Sequence, residues 1–191
     1  LKSYFDEFSL NRNNFFTDIS NYISYETGQP THCYDYQKIS SGNISLRKIN
    51  KNIKFETLLD KTITLSNENL VFMHDEEIIN LAGVIGGSNS SCDESTTDVL
   101  IECAFFQPEE IIGKTVKYDL TSEAAYKFER GVNPKSHDFV LRRFVKLVSD
   151  HAPIIEISLF NQNNKEHSDI KISDDVMEIN KILGTDLNKD D

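Results

Sequence analysis

The order in which apolar residues are distributed is the feature that most constrains the fold of this chain. Before Pro108 they form short runs bounded by polar turns, as in "LVFMHD", "IINLAGVIGG" and "DVLIECAFF". Continuous runs of this length are typical of strands buried on both faces. After Pro108 the apolar residues recur at helical spacing instead. Strands first and helices later predict an α+β domain, with a layered, mixed β-sheet or sandwich core and flanking helices.

An early helix is predicted to lead directly into a tight loop. Thr17 or Asp18 is expected to cap this helix at its N-terminus. Gly28 stands where a helix C-cap needs a positive φ, and Pro30 prevents the helix from continuing. The residues that follow, including His32, are therefore expected on a well-defined loop.

A longer helix and a closing strand are predicted in the second half of the chain. Asn133 as N-cap with Pro134 in the first turn favours a helix start there. Apolar positions three and four residues apart define its buried face: Val140, Leu141, Phe144, Val145, Leu147 and Val148. "IIEISLF" is then predicted to be a strand, residues 161–169 a polar linker, and "MEINKILGTDL" the beginning of another helical segment.

The charge of the chain argues against general binding of nucleic acids. The 191 residues carry a net charge of -11, and a surface this acidic repels phosphate backbones. One local exception is a basic segment that contains Lys127, Arg130, Lys135, Arg142, Arg143 and Lys146. Two interpretations stay open for it: a solvated helix face, which the charge pattern favours, and a patch that contacts phosphate.

Cysteine use and hydropathy indicate the compartment. The three cysteines include no Cys-x-x-Cys pair, so neither a disulfide framework nor a zinc ribbon is expected, and a reducing cytoplasm suits the chain best. No apolar run approaches the roughly 20 residues of a membrane span, so no membrane association is expected. The chain starts Leu-Lys-Ser without an initiator Met, and we expect it to be a piece of a longer protein.

Two kinds of chemistry are disfavoured by residue spacing. The possible metal ligands, among them His32, Cys33, His74 and Cys92, show no pairing such as Cys-x-x-Cys or His-x-x-x-His, so no metal site is expected. His32 and Cys33 are neighbours on an extended segment, where successive side chains point to opposite sides. A thiolate–imidazole pair is therefore not expected.

The Gly-rich loop and a carboxylate among apolar residues are the remaining candidates. The loop "GVIGGSNSS" is neither a dinucleotide fingerprint nor a Walker loop, and it is either a plain turn or a place where a ligand approaches the backbone closely. Glu102 lies in "VLIECAFF", on the same strand face as Leu100 and Ala104. A buried carboxylate costs several kcal/mol unless it is paired. Glu102 therefore either faces solvent or binds a ligand, and the pattern favours binding.

Three segments together resemble a known family. "TDISNYISYETGQPTHCYD", "LAGVIGGSNSSCDESTTDVLIECAFF" and "TSEAAYKFERGVNP" are similar to the B3/B4 domain of the bacterial phenylalanyl-tRNA synthetase beta subunit, in the same order and at similar separations. The resemblance covers residues 1–160 as one B3/B4-type domain. It also implies that residues 170–191 are the truncated start of a B5-like domain.

The resemblance implies an activity and a set of site residues. In this family the domain hydrolyses the ester of tyrosine wrongly attached to tRNA(Phe). The family's editing-site histidine falls on His32, its loop glycine on Gly86, and its tyrosine-recognising glutamate on Glu102. Its Thr-x-Ala pair falls on Ser122 and Ala124. This implies His32 and Ser122 as catalytic residues, and Glu102, Gly86 and Ala124 as residues that bind the substrate.

The resemblance also implies partners for the longer protein. These are the 3′ end of tRNA(Phe) and the synthetase alpha subunit, in a heterotetramer of two alpha and two beta subunits. No cofactor is expected in this domain, whereas the holoenzyme is expected to use ATP and Mg²⁺. Because a fold does not guarantee a reaction, a catalytically silent structural or subunit-interface domain is the alternative hypothesis.

Overall fold

The chain divides into two units between Ser158 and Leu159. Helices and short strands make up the first unit, and one described helix lies in the second. The computed structural model describes residues 2–161 and 171–188. The helices of the first unit are α1 (Lys2–Glu7), α2 (Phe15–Thr27), α3 (Tyr36–Ile39), α4 (Lys114–Tyr118), α5 (Glu123–Glu129) and α6 (His137–Ser149). Its strands are β1 (His32–Asp35), β2 (Ile44–Lys48), β3 (Ile53–Glu56), β4 (Thr62–Leu65), β5 (Leu70–His74), β6 (Glu77–Leu81), β7 (Ile85–Gly86) and β8 (Val99–Glu102). The second unit contains α7 (Val176–Leu183).

The strands of the first unit form three small sheets. The largest has the order β2-β5-β6-β7, while β3 pairs with β4 and β1 pairs with β8. All of these pairings, within the described residues, are antiparallel. Together with the helices they confirm the α+β class expected from the order of apolar runs.

The β1–β8 ladder positions the residues that matter most for function. His32 lies directly opposite Glu102, and Tyr34 lies opposite Leu100. Because side chains alternate along a strand, these four residues share one face of the ladder. Cys33 faces the other way, into the core between α2 and α6, as expected from the alternation of side chains along a strand.

Two main apolar cores support this ladder and the large sheet. The larger one joins the four-stranded sheet and the β3–β4 hairpin to α5, with the buried side chains Phe55, Leu65, Val71, Leu81, Phe106, Ile111 and Phe128 among its members. The second lies behind β1 and β8 and contains Phe16, Ile19, Ile23, Val140, Phe144 and Leu147. The buried face predicted for α6 is therefore confirmed at Val140, Phe144 and Leu147.

Both predicted helix starts are wrong by about one turn. Helix α2 begins at Phe15, because the side chain of Asn14 accepts the Thr17 amide and caps it. Helix α6 begins at His137, with Ser136 as N-cap. Asn133 instead holds the preceding turn, since its side chain accepts the Lys135 amide. The predicted end of α2 is confirmed, because Gly28 has φ 76° and its amide bonds to Ser24.

Some strand predictions also need correction. The residues of β8 all keep partial exposure, because a ladder of two strands leaves both edges open. "IIEISLF" forms no strand in the structure. The β3–β4 hairpin was not predicted, although Phe55, Ile63 and Leu65 alternate with exposed residues. The predicted linker lies almost wholly outside the described residues; α7 confirms a helix near the end, and its B5-like identity stays a prediction.

Candidate functional site

A small pocket lies where the end of the β1–β8 ladder meets β7 and the first turn of α5. His32, Gly86, Glu102 and Ala124 all line it, together with Asn80 and Phe128. Its volume is about 50 Å³, well below the ~300 Å³ of the smaller ordinary ligand pockets. Four of the five residues predicted from the sequence thus meet at one place. The fifth, Ser122, does not line the pocket.

A buried glutamine fixes the loop that brings His32 to the pocket. The Gln29 side chain is 1% exposed, and its Nε2 donates to the carbonyls of Pro30 and Ala104, at 3.0 Å each. Its Oε1 accepts the Ser136 hydroxyl at 3.2 Å. The loop is therefore tied both to the chain just after β8 and to the start of α6. The sequence predicted only the turn at this position, and not the role of Gln29.

The His32 ring lies against the backbone of Gly86. A Cβ atom added to Gly86 would stand 2.5 Å from His32 Cε1 and 2.7 Å from Nε2. The close approach that the Gly-rich loop suggested is thus made by His32. Its Nε2 is buried and has no hydrogen-bond partner within the described chain. Burial lowers the pKa of His32 to about 4, so the ring is neutral at pH 7.

Glu102 has one engaged and one free oxygen. Its Oε2 accepts the Tyr34 hydroxyl at 2.6 Å, and the structure shows no hydrogen bond to Oε1 from the described residues. Burial of the carboxyl raises the pKa of Glu102 to about 7, against the opposing effect of the Tyr34 bond. The residue as a whole keeps partial exposure. A carboxylate without full pairing, in partly apolar surroundings, is the feature expected of a group that binds a ligand.

Tyr34 and Asn80, neither of which was predicted from the sequence, complete this side of the pocket. Tyr34 is 1% exposed, and its ring meets that of His32 edge-on at a centroid distance of 4.5 Å. Asn80 Nδ2 donates to the Tyr34 hydroxyl at 3.0 Å, while Asn80 Oδ1 is buried without a partner. Burial, followed by the Glu102 charge, raises the pKa of Tyr34. The available signal was strand alternation, which places Tyr34 on the same face as His32.

Ser122 holds the wall of the pocket from behind. Its hydroxyl is the N-cap of α5, where it accepts the Ala125 amide at 3.0 Å. The same hydroxyl donates to the carbonyl of Val84, a pocket residue, at 2.5 Å. The backbone amide of Gly87 is likewise not free, because it donates a hydrogen bond to the Ile79 carbonyl at 2.8 Å. A catalytic role for Ser122 stays a prediction, because using its hydroxyl requires the bond to Val84 to break.

The geometry does not pair Cys33 with His32. Cys33 is buried with its Sγ toward the Phe16 carbonyl at 3.7 Å, and burial raises the pKa of its thiol well above the usual range. Cys33 is therefore neither ionised nor paired with His32.

Residues 2–161 and 171–188 contain no group of three His, Cys, Asp or Glu side chains arranged to hold a metal ion. None of the helices that the structure describes is long and apolar enough to cross a bilayer.

The basic segment is occupied by internal contacts. Arg143 binds the Glu26 carboxylate through two nitrogens at 2.7 Å each. Arg142 pairs with Asp138 in the same helix. Lys127 reaches back to α2, where its Nζ bonds to Ser24. These contacts favour a solvated helix face over a phosphate-contacting patch.

Comparison with known proteins gives a consistent result. The family model for the B3/4 domain matches residues 2–153. The phenylalanine--tRNA ligase beta subunit of Francisella tularensis is 36% identical over 179 residues, which are 91% of this chain and 22% of that protein. The beta subunit from Protochlamydia amoebophila is 34% identical over 190 residues, or 99% of this chain and 24% of that protein.

The beta subunit from Shewanella oneidensis is 38% identical over 144 residues, or 73% of this chain and 18% of that protein. The chain thus spans about a fifth to a quarter of the length of the curated relatives it matches. The family match covers most of the first unit, including every pocket residue described above. This chain therefore belongs to the B3/4 domain family.

Proposed function

We propose that this chain is the editing domain of a phenylalanine--tRNA ligase beta subunit, which hydrolyses the ester of tyrosine mischarged onto tRNA(Phe). The observation that carries the proposal is the pairing of His32 with Glu102 across one ladder, with an unpaired polar atom on each. In the longer protein, this proposal places the domain in a cytoplasmic ligase with an alpha subunit, in a heterotetramer of two alpha and two beta subunits. There the aminoacylation site uses ATP and Mg²⁺, and the editing domain receives the tRNA(Phe) 3′ end.

Recognition in this proposal rests on Glu102. Tyrosine differs from phenylalanine by one hydroxyl, and apolar contacts alone discriminate weakly between such analogues. The free Oε1 of Glu102 accepts the phenol hydroxyl in a charge-assisted hydrogen bond. Phenylalanine leaves Oε1 buried without a partner, which spares the correct product. Sites of this kind discriminate by about 10⁴–10⁵-fold. Ala124 leaves room for the substrate because its side chain is small, and Gly86 leaves room for the His32 ring beside it.

Hydrolysis in this proposal needs a positioned water and no covalent nucleophile. An aminoacyl ester is already activated, so orientation of the water supplies a large part of the rate. His32 is neutral at pH 7 and has its Nε2 free, which suits a hydrogen bond to the water or to the terminal ribose. With a pKa of about 4, His32 is a weak base, so the positioning role is favoured over proton abstraction. Ser122 contributes by holding the Val84 wall.

The test uses the full-length beta subunit assembled with its partner subunit. Deacylation of Tyr-tRNA(Phe) and Phe-tRNA(Phe) is measured for wild type, His32→Ala and Glu102→Ala. We expect His32→Ala to lose hydrolysis and Glu102→Ala to lose the preference for tyrosine. His74→Ala, in the β2–β5 ladder, and Glu77→Ala, an exposed residue of β6, are the matched controls. Unchanged hydrolysis in His32→Ala would contradict the proposal, as would a retained preference in Glu102→Ala.

The competing candidate is a catalytically silent structural or subunit-interface domain. The small pocket volume favours it, because about 50 Å³ does not admit a tyrosine side chain without movement of the walls. Soaking tyrosine into crystals of the full-length enzyme distinguishes the two candidates. A tyrosine hydroxyl bonded to Glu102 in a widened pocket supports editing. An unchanged pocket without tyrosine, combined with no deacylation in solution, supports the silent domain.

A further inference from the structure

We propose that Tyr34, held by Asn80, is a positioning residue that assigns the two oxygens of the Glu102 carboxylate to different tasks. The Tyr34 hydroxyl donates its hydrogen bond to Oε2, which leaves Oε1 as the single acceptor for the substrate phenol. This inference rests on the proposed editing function and adds two residues to its specificity device. The Tyr34 hydroxyl and the proposed substrate hydroxyl would then make the same type of hydrogen bond, each to one oxygen of Glu102.

The directions of the hydrogen bonds follow from the groups involved. Tyr34 has one hydroxyl hydrogen, and its partners at 2.6 Å and 3.0 Å are Glu102 Oε2 and Asn80 Nδ2. The amide nitrogen of Asn80 can only donate, so the Tyr34 hydroxyl hydrogen goes to the carboxylate. The Tyr34 ring is 1% exposed and packs against His32 and Phe72, which prevents the hydroxyl from following a rotated carboxylate. Rotation of the Glu102 carboxylate therefore costs this hydrogen bond.

The same bond favours the ionised form of Glu102. Burial raises the pKa of Glu102 to about 7, and the Tyr34 bond is the influence that lowers it. Without the Tyr34 hydroxyl the pKa of Glu102 rises further, and the carboxyl becomes mostly protonated at pH 7. A neutral carboxyl is less costly to leave unpaired, so phenylalanine is then rejected less strongly.

The surroundings of Glu102 contain few other groups that titrate near neutrality. His32, opposite on β1, has a pKa of about 4, and Tyr34 titrates well above its usual range. The Cys33 and Cys103 thiols both have raised pKa values, that of Cys103 about 12, because of burial. The pocket residues from β6 and α5 are uncharged: Asn80, Ala124 and Phe128. A selectivity change near pH 7 is therefore assigned to Glu102.

The experiment compares Tyr34→Phe with wild type in the full-length subunit assembled with its partner. The kcat/KM for Tyr-tRNA(Phe) and Phe-tRNA(Phe) is measured from pH 6 to about 9, with the uncatalysed rate subtracted. We expect wild-type selectivity for tyrosine to rise through about pH 7. At pH 7, Tyr34→Phe is expected to lose about fivefold in selectivity, because a pKa rise of about one unit lowers the ionised fraction of Glu102 from about one half to about one tenth. The selectivity is expected to recover at higher pH.

A second variant and a control separate positioning from folding. Asn80→Ala keeps the Tyr34 ring but removes the donor to its hydroxyl, so we expect a smaller selectivity loss in the same direction. Tyr36→Phe removes the hydroxyl of a half-exposed tyrosine in α3 and is expected to match wild type. Equal loss of activity toward both substrates at every pH in Tyr34→Phe indicates a merely structural residue and overturns the inference. An unchanged pH profile also overturns it.

The outcome for wild type distinguishes this inference from the function on which it rests. Wild-type enzyme that hydrolyses neither ester overturns the proposed function and with it the role of Oε1. Wild-type enzyme that prefers Tyr-tRNA(Phe), loses that preference in Glu102→Ala and keeps it in Tyr34→Phe overturns only the inference about Tyr34.

Discussion

Replacement of Gly86 by alanine tests whether the His32 ring depends on the bare backbone of β7. The added Cβ would stand 2.5 Å from His32 Cε1 and 3.1 Å from Leu58 Cδ2. Carbon atoms in contact prefer separations of about 3.5–4.0 Å. The ring must therefore retreat by about 1 Å, or the strand must shift by a similar distance.

The expected loss follows from that displacement. A misplacement of about 1 Å at a positioned group can cost about 10²-fold in rate, which is about 3 kcal/mol in the activation free energy. The free energy of unfolding is expected to fall by about 1–3 kcal/mol, as for other overpacked sites. Gly86→Ala should therefore lose about two orders of magnitude in hydrolysis of Tyr-tRNA(Phe) while most of the protein stays folded.

Single-turnover deacylation, combined with urea denaturation, measures both effects. Gly131→Ala is a control matched for stability, because Gly131 has φ 86° and open space around it. A non-Gly residue in that conformation costs about 1–2 kcal/mol and leaves the pocket untouched. We expect Gly131→Ala to lose stability and keep its activity.

A double variant gives the sharper check. His32→Ala removes the ring that the new methyl group meets, so Gly86→Ala should cost little additional activity in that background. Additive losses would show that Gly86 acts independently of His32. Wild-type activity in Gly86→Ala with an unchanged free energy of unfolding would refute the close contact itself.

Three further predictions concern the stability of the chain, measured by urea denaturation. Burial raises the pKa of Glu102 from 4.5 to about 7, so the folded state binds this proton more tightly than the unfolded state does. The free energy of unfolding therefore falls as the pH rises from 4.5 to about 7. Glu102→Gln should stabilise the chain by about 3 kcal/mol at pH 8 and little at pH 4. Gln29→Ala should cost about 2 kcal/mol at all pH values, because buried carbonyls lose their donor, and a loss below 0.5 kcal/mol would contradict this. Arg143→Ala should cost less than about 1 kcal/mol, since its pairing with Glu26 is partly exposed; a larger cost would show a role beyond the ion pair.

Local patterns predicted the class of the fold and one face of the site. Alternation placed Glu102 beside Leu100, and the ladder register confirms that arrangement. The turn at Gly28 was also predictable, because a positive φ after a helix is a local requirement. Helix starts were less well defined, since Asn14, Thr17 and Asp18 are all acceptable caps and only packing decides among them.

The hydrogen bonds that complete the pocket could not be predicted locally. Tyr34 meets a carboxylate 68 residues away and an amide 46 residues away. Strand alternation brings Tyr34 to the correct face, but the partners of its hydroxyl depend on how separate sheets pack. The engagement of Ser122 with Val84 is another contact of this kind, at a separation of 38 residues.

The β1–β8 ladder has a consequence for how this protein folds. Its four residue pairs join segments some 70 positions apart, and an isolated pair of strands is marginally stable in water. Such long-range pairing forms slowly, because closing a large loop costs chain entropy before the new contacts contribute any stabilising energy. His32 and Glu102 should therefore come together late, once α2 and α6 have packed behind the ladder. A chain that stalls during folding will contain most of its helices and lack its pocket.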